Sequence, residues 1–162
     1  MSQVQPFDKA AYNERVQNGP CFICQLVKNQ PEESHSEIYR DEVGIVFLSK
    51  YPSQYGYTLV APIKHRERVT ADFSPEEYLA LQSLIYRVGE ALQKVITTER
   101  FYILSLGSQQ GNRHVHWHLV PLPPGVPYEE QQLEALKIDK GFLALGNSEA
   151  EVLVEKVRQY LL

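Results

Sequence analysis

This sequence contains few cysteines and tryptophans, and its net charge is small. Its 162 residues include two cysteines and one tryptophan, and the formal net charge is −4. Two cysteines cannot form the dense disulfide framework that stabilises many small secreted domains. A slightly acidic chain also lacks the basic footprint of proteins that wrap around nucleic acid. We therefore expect neither a disulfide scaffold nor a nucleic-acid partner.

Long apolar runs are missing as well. No run is long enough to span a bilayer, and the first residues, MSQVQPFDKAAYNERVQNG, contain no apolar core of signal-peptide length. We expect a soluble, cytoplasmic protein with no membrane partner. Hydrophobic residues make up 43% of the chain and charged residues 22%, which is an ordinary globular balance. The length fits a single domain over residues 1–162.

The spacing of apolar residues predicts an α+β fold. The clearest helix begins after Ser74, which forms a capping box with Glu77. Ser148 and Glu151 suggest a second capping box, at the start of a C-terminal helix. Strands are predicted within residues 37–49, 56–63 and 100–107, and further helices over 7–18, near 128–137 and over 148–161. Strands on both sides of one long helix indicate an antiparallel sheet.

Three of the five histidines occupy alternate positions in GNRHVHWHLVPLPPG, residues 111–125. Side chains alternate between the faces of a strand, so His114, His116 and His118 are predicted to share one face. A face made only of imidazoles is unusual for a solvated strand. Three alternating positions span about 13 Å, which is too long for all three to bind one zinc ion about 2 Å from each nitrogen. Nucleophilic attack on phosphorus by the central imidazole, that of His116, is the third interpretation.

The loop before these histidines is rich in glycine and amides. It contains Gln110, Gly111 and Asn112, whose backbone and side-chain donors could bind a phosphate. The loop alone is a weak signal. Beside the histidines it favours phosphate chemistry.

These motifs resemble those of the histidine triad (HIT) superfamily. HVHWHLV fits its H-x-H-x-H-x-x signature, while CFICQLVKNQ and YPSQYGYTLVAPIKH resemble two of its other segments. The resemblance covers about residues 20–122 and leaves a C-terminal helical extension over 123–162. It implies a HIT-like fold: an antiparallel five- to six-stranded sheet with one long helix and additional N- and C-terminal helices. It also implies a homodimer, paired through the long helix and an edge strand.

The resemblance assigns roles to the catalytic residues. His116 would be the nucleophile that attacks the α-phosphate, and His114 and His118 would orient that phosphate. Gln110 and Asn112 would add contacts to it. The segment is most similar to bacterial members described as diadenosine tetraphosphate hydrolases.

A nucleotide pocket is implied in the same way. Phe22, Leu26 and Phe47 would hold the base, Ser49 the ribose, and Gly111 would belong to the nucleotide-binding loop. Ser49 departs from the family, which usually has Asp or Asn there. Leu122 is a second departure, since many relatives have an arginine in its place. His35 matches no motif, and we expect it in a surface loop.

The two cysteines form a C-x-x-C pair, Cys21 and Cys24. The spacing alone is compatible with two buried thiols or with half of a metal site. The resemblance implies a structural zinc held by both cysteines together with His65 and His114. No cofactor would be required for the chemistry.

Three functional hypotheses follow. The first is a nucleotidyl hydrolase or transferase that cleaves an α-phosphorus bond through a nucleotidyl-histidine intermediate. Its small-molecule substrate would be a dinucleoside polyphosphate or a nucleoside phosphoramidate. The second is a nucleotide-binding sensor with little turnover, which Ser49 and Leu122 favour. The third is a metal-dependent phosphoesterase.

Overall fold

A computed structural model describes residues 3–30 and 35–161 of the chain. These residues form seven strands: β1 (Gln3–Gln5), β2 (Glu37–Arg40), β3 (Gly44–Leu48), β4 (Thr58–Pro62), β5 (Arg100–Leu104), β6 (Trp117–Leu122) and β7 (Phe142–Ala144). The helices are α1 (Lys9–Asn18), α2 (Phe22–Val27), α3 (Pro75–Val95), α4 (Leu133–Leu136) and α5 (Asn147–Arg158), with a 3-10 turn at Tyr128–Glu130. Five strands form an antiparallel sheet in the order β2-β3-β4-β6-β5. The predicted α+β fold, with its long helix and additional helices, is confirmed.

The long helix α3 begins as its sequence predicts. The Ser74 hydroxyl accepts from the Glu77 amide, and the Glu77 carboxylate accepts from the Ser74 amide. Apolar side chains of α3 and α5 then pack on one face of the sheet. Gly89 lets α3 approach β5 closely, because a Cβ there would lie 3.3 Å from the ring of Phe101.

The opposite face of the sheet is covered by a smaller apolar cluster that includes α2. Ile23 and Leu26 of α2 pack there with Phe47 and Leu59. Phe47 pairs with Leu59, and Leu59 pairs with His118, across three neighbouring strands. Paired residues of adjacent strands point to the same face. The His118 side chain therefore lies on the face opposite α3.

Two local predictions are wrong. The strand that was expected to carry all three histidines begins only at Trp117, so His114 and His116 precede it. The helix α5 begins after Gly146 without any side-chain cap, and the expected capping box of Ser148 and Glu151 is absent at that position. Ser148 lies within the helix, which starts one residue before it.

The N-terminal residues and the segment before α5 form a two-stranded ribbon that the sequence did not predict. The strands β1 and β7 pair antiparallel, with Val4 opposite Leu143. Gly141 makes this approach possible, because a Cβ there would lie 2.3 Å from the Gln5 carbonyl oxygen. No helix among the described residues is both long and apolar enough to cross a membrane.

Candidate functional site

A cavity of about 280 Å³ opens on the sheet face opposite α3. His116 and His118 line it, together with Tyr57 of the loop before β4. The rings of the two histidines are 4.8 Å apart. His114 is fully buried and is not part of the lining. The histidine array therefore divides, with two imidazoles in the cavity and one outside it.

The tautomer of His116 is fixed by its backbone contact. Its Nδ1 lies 2.8 Å from the His114 carbonyl oxygen, and a carbonyl can only accept, so Nδ1 carries the proton. The other ring nitrogen, Nε2, therefore keeps a lone pair. The Ser105 hydroxyl donates to the His116 carbonyl oxygen at 2.7 Å and fixes the backbone. Burial lowers the pKa of His116, which favours the neutral, nucleophilic ring.

His118 is held by a side chain instead of a carbonyl. Its Nδ1 lies 2.8 Å from the Tyr57 hydroxyl. Burial, with a smaller effect from His116, lowers the pKa of His118 to about 3. Burial, with a smaller effect from Tyr12, raises the pKa of Tyr57. Both groups are therefore neutral at physiological pH, and the pair can orient a ligand by hydrogen bonding.

The residues predicted to bind a nucleotide are only partly brought together. Phe22, Phe47 and Ser49 line the cavity. Leu26 lies instead in the apolar cluster between α2 and the sheet. His35, expected in a surface loop, also lines the cavity, where its ring stacks on Phe22 at 5.4 Å and 10°.

The loop before the histidines contributes one predicted side chain to the cavity. Asn112 lines it, whereas Gln110 and Gly111 are not among its lining residues. The side-chain nitrogen Nδ2 of Asn112 also lies 3.7 Å from the Cys21 sulfur. Asn112 therefore connects the cavity to the cysteine pair.

Cys21, Cys24, His65 and His114 converge outside the cavity. Their potential ligand atoms all lie within 4.8 Å of one another. His114 Nδ1 is 3.6 Å from both sulfurs, and His65 Nδ1 is 3.2 Å from the Cys24 sulfur. Sulfur and nitrogen ligands of one tetrahedral zinc ion lie about 3.6 Å apart, given their usual bond lengths. The donor set therefore fits zinc in both chemistry and spacing.

Both histidines of this cluster have the tautomer that a metal ligand needs. His114 Nε2 donates to the Pro62 carbonyl at 2.8 Å, and His65 Nε2 lies 3.1 Å from the Glu67 carboxylate. Each Nδ1 consequently keeps a lone pair toward the sulfurs, and the partner of each Nε2 fixes the ring as in known metal sites. Without a metal, burial and the neighbouring Cys21 raise the pKa of the Cys24 thiol to about 11. The expectation that the His114 ring also contacts the phosphate does not fit this placement.

Other lining residues come from α1 and from the segment at α4. Tyr12 and Arg15 belong to the first group, and Leu136 and Ile138 to the second. The sequence analysis missed all four. Their side chains are ordinary for a surface helix and a loop, and only the tertiary fold brings them to the histidines.

Comparisons of the sequence and of the fold with known proteins all match histidine triad proteins. The HIT domain family model matches residues 30–124. An uncharacterised HIT-like protein of Saccharolobus solfataricus is 28% identical over 126 residues, which cover 70% of this chain and 88% of the relative. In fold, the chain is similar to a hypothetical histidine triad nucleotide-binding protein from Sulfolobus tokodaii strain 7, with a TM-score of 0.69, 23% identity and coverage of 87% and 91%. It is also similar to a Zn-bound histidine triad family protein from Mycobacterium smegmatis, with a TM-score of 0.68, 22% identity and coverage of 87% and 92%.

Proposed function

The chain belongs to the HIT domain family, and on that premise we propose that it is a nucleotidyl hydrolase or transferase with His116 as its nucleophile. The hydrogen bond from His116 Nδ1 to the His114 carbonyl supports this most, because it leaves the Nε2 lone pair available for attack. An imidazole nucleophile divides one difficult displacement at phosphorus into two easier ones.

In the first step, His116 Nε2 attacks the α-phosphorus of a nucleotide. The bond from phosphorus to the leaving group breaks, and the leaving group takes the bonding electron pair. The ring of the resulting nucleotidyl-His116 carries positive charge, which the His114 carbonyl stabilises through Nδ1–H. In this mechanism His118, which Tyr57 holds, donates a hydrogen bond to the phosphoryl oxygens.

In the second step, a water molecule attacks the same phosphorus. The phosphorus–nitrogen bond breaks, its electron pair returns to Nε2, and the water proton passes to solvent. The products are a nucleoside monophosphate and the free enzyme. With an acceptor other than water, the same step transfers the nucleotidyl group.

The substrate classes that we propose are dinucleoside polyphosphates and nucleoside phosphoramidates. Phe22 offers apolar surface for a base, and Ser49 a hydroxyl for the ribose. The likeness of the central motif to bacterial diadenosine tetraphosphate hydrolases favours the first class.

Two substitutions of the nucleophile test the mechanism. His116→Ala removes the ring, whereas His116→Asn keeps an amide N–H that can donate to the His114 carbonyl. We expect both variants to fold with the wild-type circular dichroism spectrum and to lose turnover by at least about 10³-fold, because neither has a nucleophilic nitrogen. Turnover near the wild-type rate in either variant contradicts the mechanism.

A nucleotide-binding sensor without turnover is the second candidate. Ser49 favours it, because the family resemblance implies a carboxylate or amide at this position and a serine hydroxyl is shorter and uncharged. A sensor would bind a nonhydrolysable nucleotide analogue and leave the natural nucleotide intact. Measurable release of nucleoside monophosphate by the wild-type protein excludes this candidate.

We further propose that Cys21, Cys24, His65 and His114 hold a structural zinc ion. Bound zinc would join the start of α2 to the segment that carries His116, and it would take no part in the steps at phosphorus. Elemental analysis of the purified protein should give about one equivalent of zinc. Cys24→Ser should lower that content, while His35→Ala, which removes an imidazole outside the cluster, should not. Less than a few tenths of an equivalent in the wild-type protein contradicts the zinc site.

A homodimer through α3 and the edge strand β5 completes the proposal. Leu79 and Tyr86 of α3 are 66% and 67% exposed, and Ile103 of β5 is 49% exposed, an arrangement that favours burial against a second copy. Sedimentation should detect a dimer that Tyr86→Glu dissociates. Tyr128→Glu, the same change at an 88% exposed site elsewhere, should leave it intact. A monomeric wild-type protein contradicts this.

A further inference from the structure

A group of polar and cationic side chains lines the cavity beside the histidines. Tyr12 and Arg15 project from α1, which precedes the region matched by the family model, and Lys50 and Tyr51 follow β3. We refer to these four residues as the cationic wall.

The four side chains hold one another in place. Arg15 donates from Nη2 to the Tyr51 hydroxyl at 3.1 Å. Its guanidinium carbon also lies 5.7 Å and 5.9 Å from the ring centres of Tyr12 and Tyr51. Lys50 Nζ is 5.9 Å from the Tyr51 ring centre. These contacts orient two cations along one side of the cavity.

The cationic wall reaches the loop that leads to the triad. A Cβ at Gly111 would lie 3.7 Å from the Tyr12 hydroxyl. The next residue, Asn112, lines the cavity together with His116. Burial raises the pKa of Tyr12, so its hydroxyl stays protonated and can donate. The wall therefore shares the cavity with His116 and contacts the loop that leads to it.

The charge of the cavity contrasts with the charge of the chain. The chain has a formal net charge of −4. Arg15 and Lys50 nevertheless place two cationic side chains in the lining of the cavity. Cationic side chains in a cleft raise the local concentration of anionic ligands. The cavity thus suits an anionic ligand.

We propose that the cationic wall is a subsite for the leaving group, and that it selects leaving groups made of further phosphates. This inference rests on the proposed function, in which His116 attacks the α-phosphorus. It distinguishes between the two substrate classes named above. The preferred substrate is a nucleotide whose α-phosphate is joined to a polyphosphate chain, and the phosphoramidate is the poorer one.

The two leaving groups differ in the charge that they develop beside the cationic wall. When a phosphorus–oxygen bond of a polyphosphate breaks, the departing oxygen takes the electron pair and gains negative charge. Arg15, Lys50 and the Tyr12 hydroxyl stabilise that charge. When a phosphorus–nitrogen bond breaks, the departing amine takes the pair and requires a proton. Nearby cations disfavour a protonated amine, so the wall gives that reaction no advantage.

Substitutions of one arginine test the subsite. The measured quantity is the ratio of kcat/KM for a dinucleoside tetraphosphate to kcat/KM for the 5′-phosphoramidate of the same nucleoside. We expect Arg15→Gln to lower this ratio about tenfold, which is the scale of one hydrogen bond to a charged group. Arg15→Lys keeps the charge and should retain part of the wild-type ratio. Lys9→Gln, which removes a cation of α1 that does not line the cavity, should leave the ratio unchanged.

A binding measurement separates the subsite from the chemistry. Calorimetry compares the affinity for a methylene-bridged dinucleoside tetraphosphate with that for the nucleoside monophosphate. Arg15→Gln should weaken binding of the first by about tenfold relative to the second. If Arg15→Gln weakens binding in this way but the wild-type protein shows no turnover, the result supports the subsite and contradicts the proposed function. An unchanged ratio in both measurements, with wild-type turnover intact, overturns the subsite and leaves the proposed function standing.

Discussion

Three chemically identical imidazoles differ because each makes one distinct hydrogen bond. His114 donates to the Pro62 carbonyl, and His116 donates to the His114 carbonyl. His118 instead faces the Tyr57 hydroxyl, which can donate as well as accept. With the hydroxyl donating to Nδ1, the proton of His118 is on Nε2. In the proposed mechanism, Tyr57 is therefore a positioning residue for His118, the donor to the phosphate.

Removal of the Tyr57 hydroxyl tests this role. In Tyr57→Phe, His118 loses its orienting partner and can adopt either tautomer. We expect kcat to fall about tenfold, the scale of one lost hydrogen bond to a buried group, with a smaller change in KM. Tyr128→Phe makes the same chemical change at an 88% exposed site and should have wild-type kinetics. Unchanged kcat in Tyr57→Phe contradicts the positioning role.

At the scale of helices and strands, local sequence patterns predicted the start of α3 but not the starts of α5 and β6. The capping box of Ser74 and Glu77 lies within one turn, so the start of α3 is readable from its own residues. The pairing of β1 with β7 joins Val4 to Leu143, and no local pattern encodes it. The residues of the candidate site also fall into those that local motifs predict and those that they do not. The triad and the C-x-x-C pair are short motifs, whereas Arg15 and Leu136 reach the cavity only through the tertiary fold.

The β1–β7 ribbon allows a test of its own packing. Gly141 has φ +102° and abuts the Gln5 carbonyl, whereas Gly125 has φ +85° and no neighbour within 4 Å of its Cβ position. Alanine at either site strains the backbone and should lower the free energy of unfolding by about 1–3 kcal/mol. Only Gly141→Ala should also separate the ribbon. Hydrogen exchange of the β1 amides should therefore accelerate in Gly141→Ala and not in Gly125→Ala, and equal exchange in both variants contradicts this packing.

At the scale of the whole molecule, the partly buried imidazole of His118 couples folding to pH. Burial, with a smaller effect from His116, lowers the pKa of His118 to about 3 from an ordinary value of 6.5. Below pH 6.5 the unfolded chain therefore binds a proton that the folded chain excludes, and stability falls as the pH falls. Hydrogen bonds from the Ser74 amide and Arg66 lower the pKa of Glu77 to about 2 from 4.5, so its stabilisation is lost only in more acidic solution. The interval between pH 4.5 and 6.5 therefore reports on His118 without this contribution from Glu77.

Denaturant unfolding across that interval measures the coupling. Replacing the imidazole in His118→Gln should flatten the dependence of the unfolding free energy on pH. One proton difference corresponds to about 1.4 kcal/mol per pH unit, which is the largest reduction expected. A slope identical to that of the wild-type protein contradicts a neutral, buried His118.

The covalent nucleotidyl-His116 intermediate is tested most directly by the stereochemical course at the α-phosphorus. The substrate is a dinucleoside polyphosphate with a chiral α-phosphorothioate, hydrolysed by the wild-type protein in water labelled with oxygen-18. Each in-line displacement inverts the configuration, so attack by His116 followed by attack of water gives net retention. Retention is the predicted result. Net inversion means that water attacks phosphorus directly, and it contradicts the role of His116 as nucleophile.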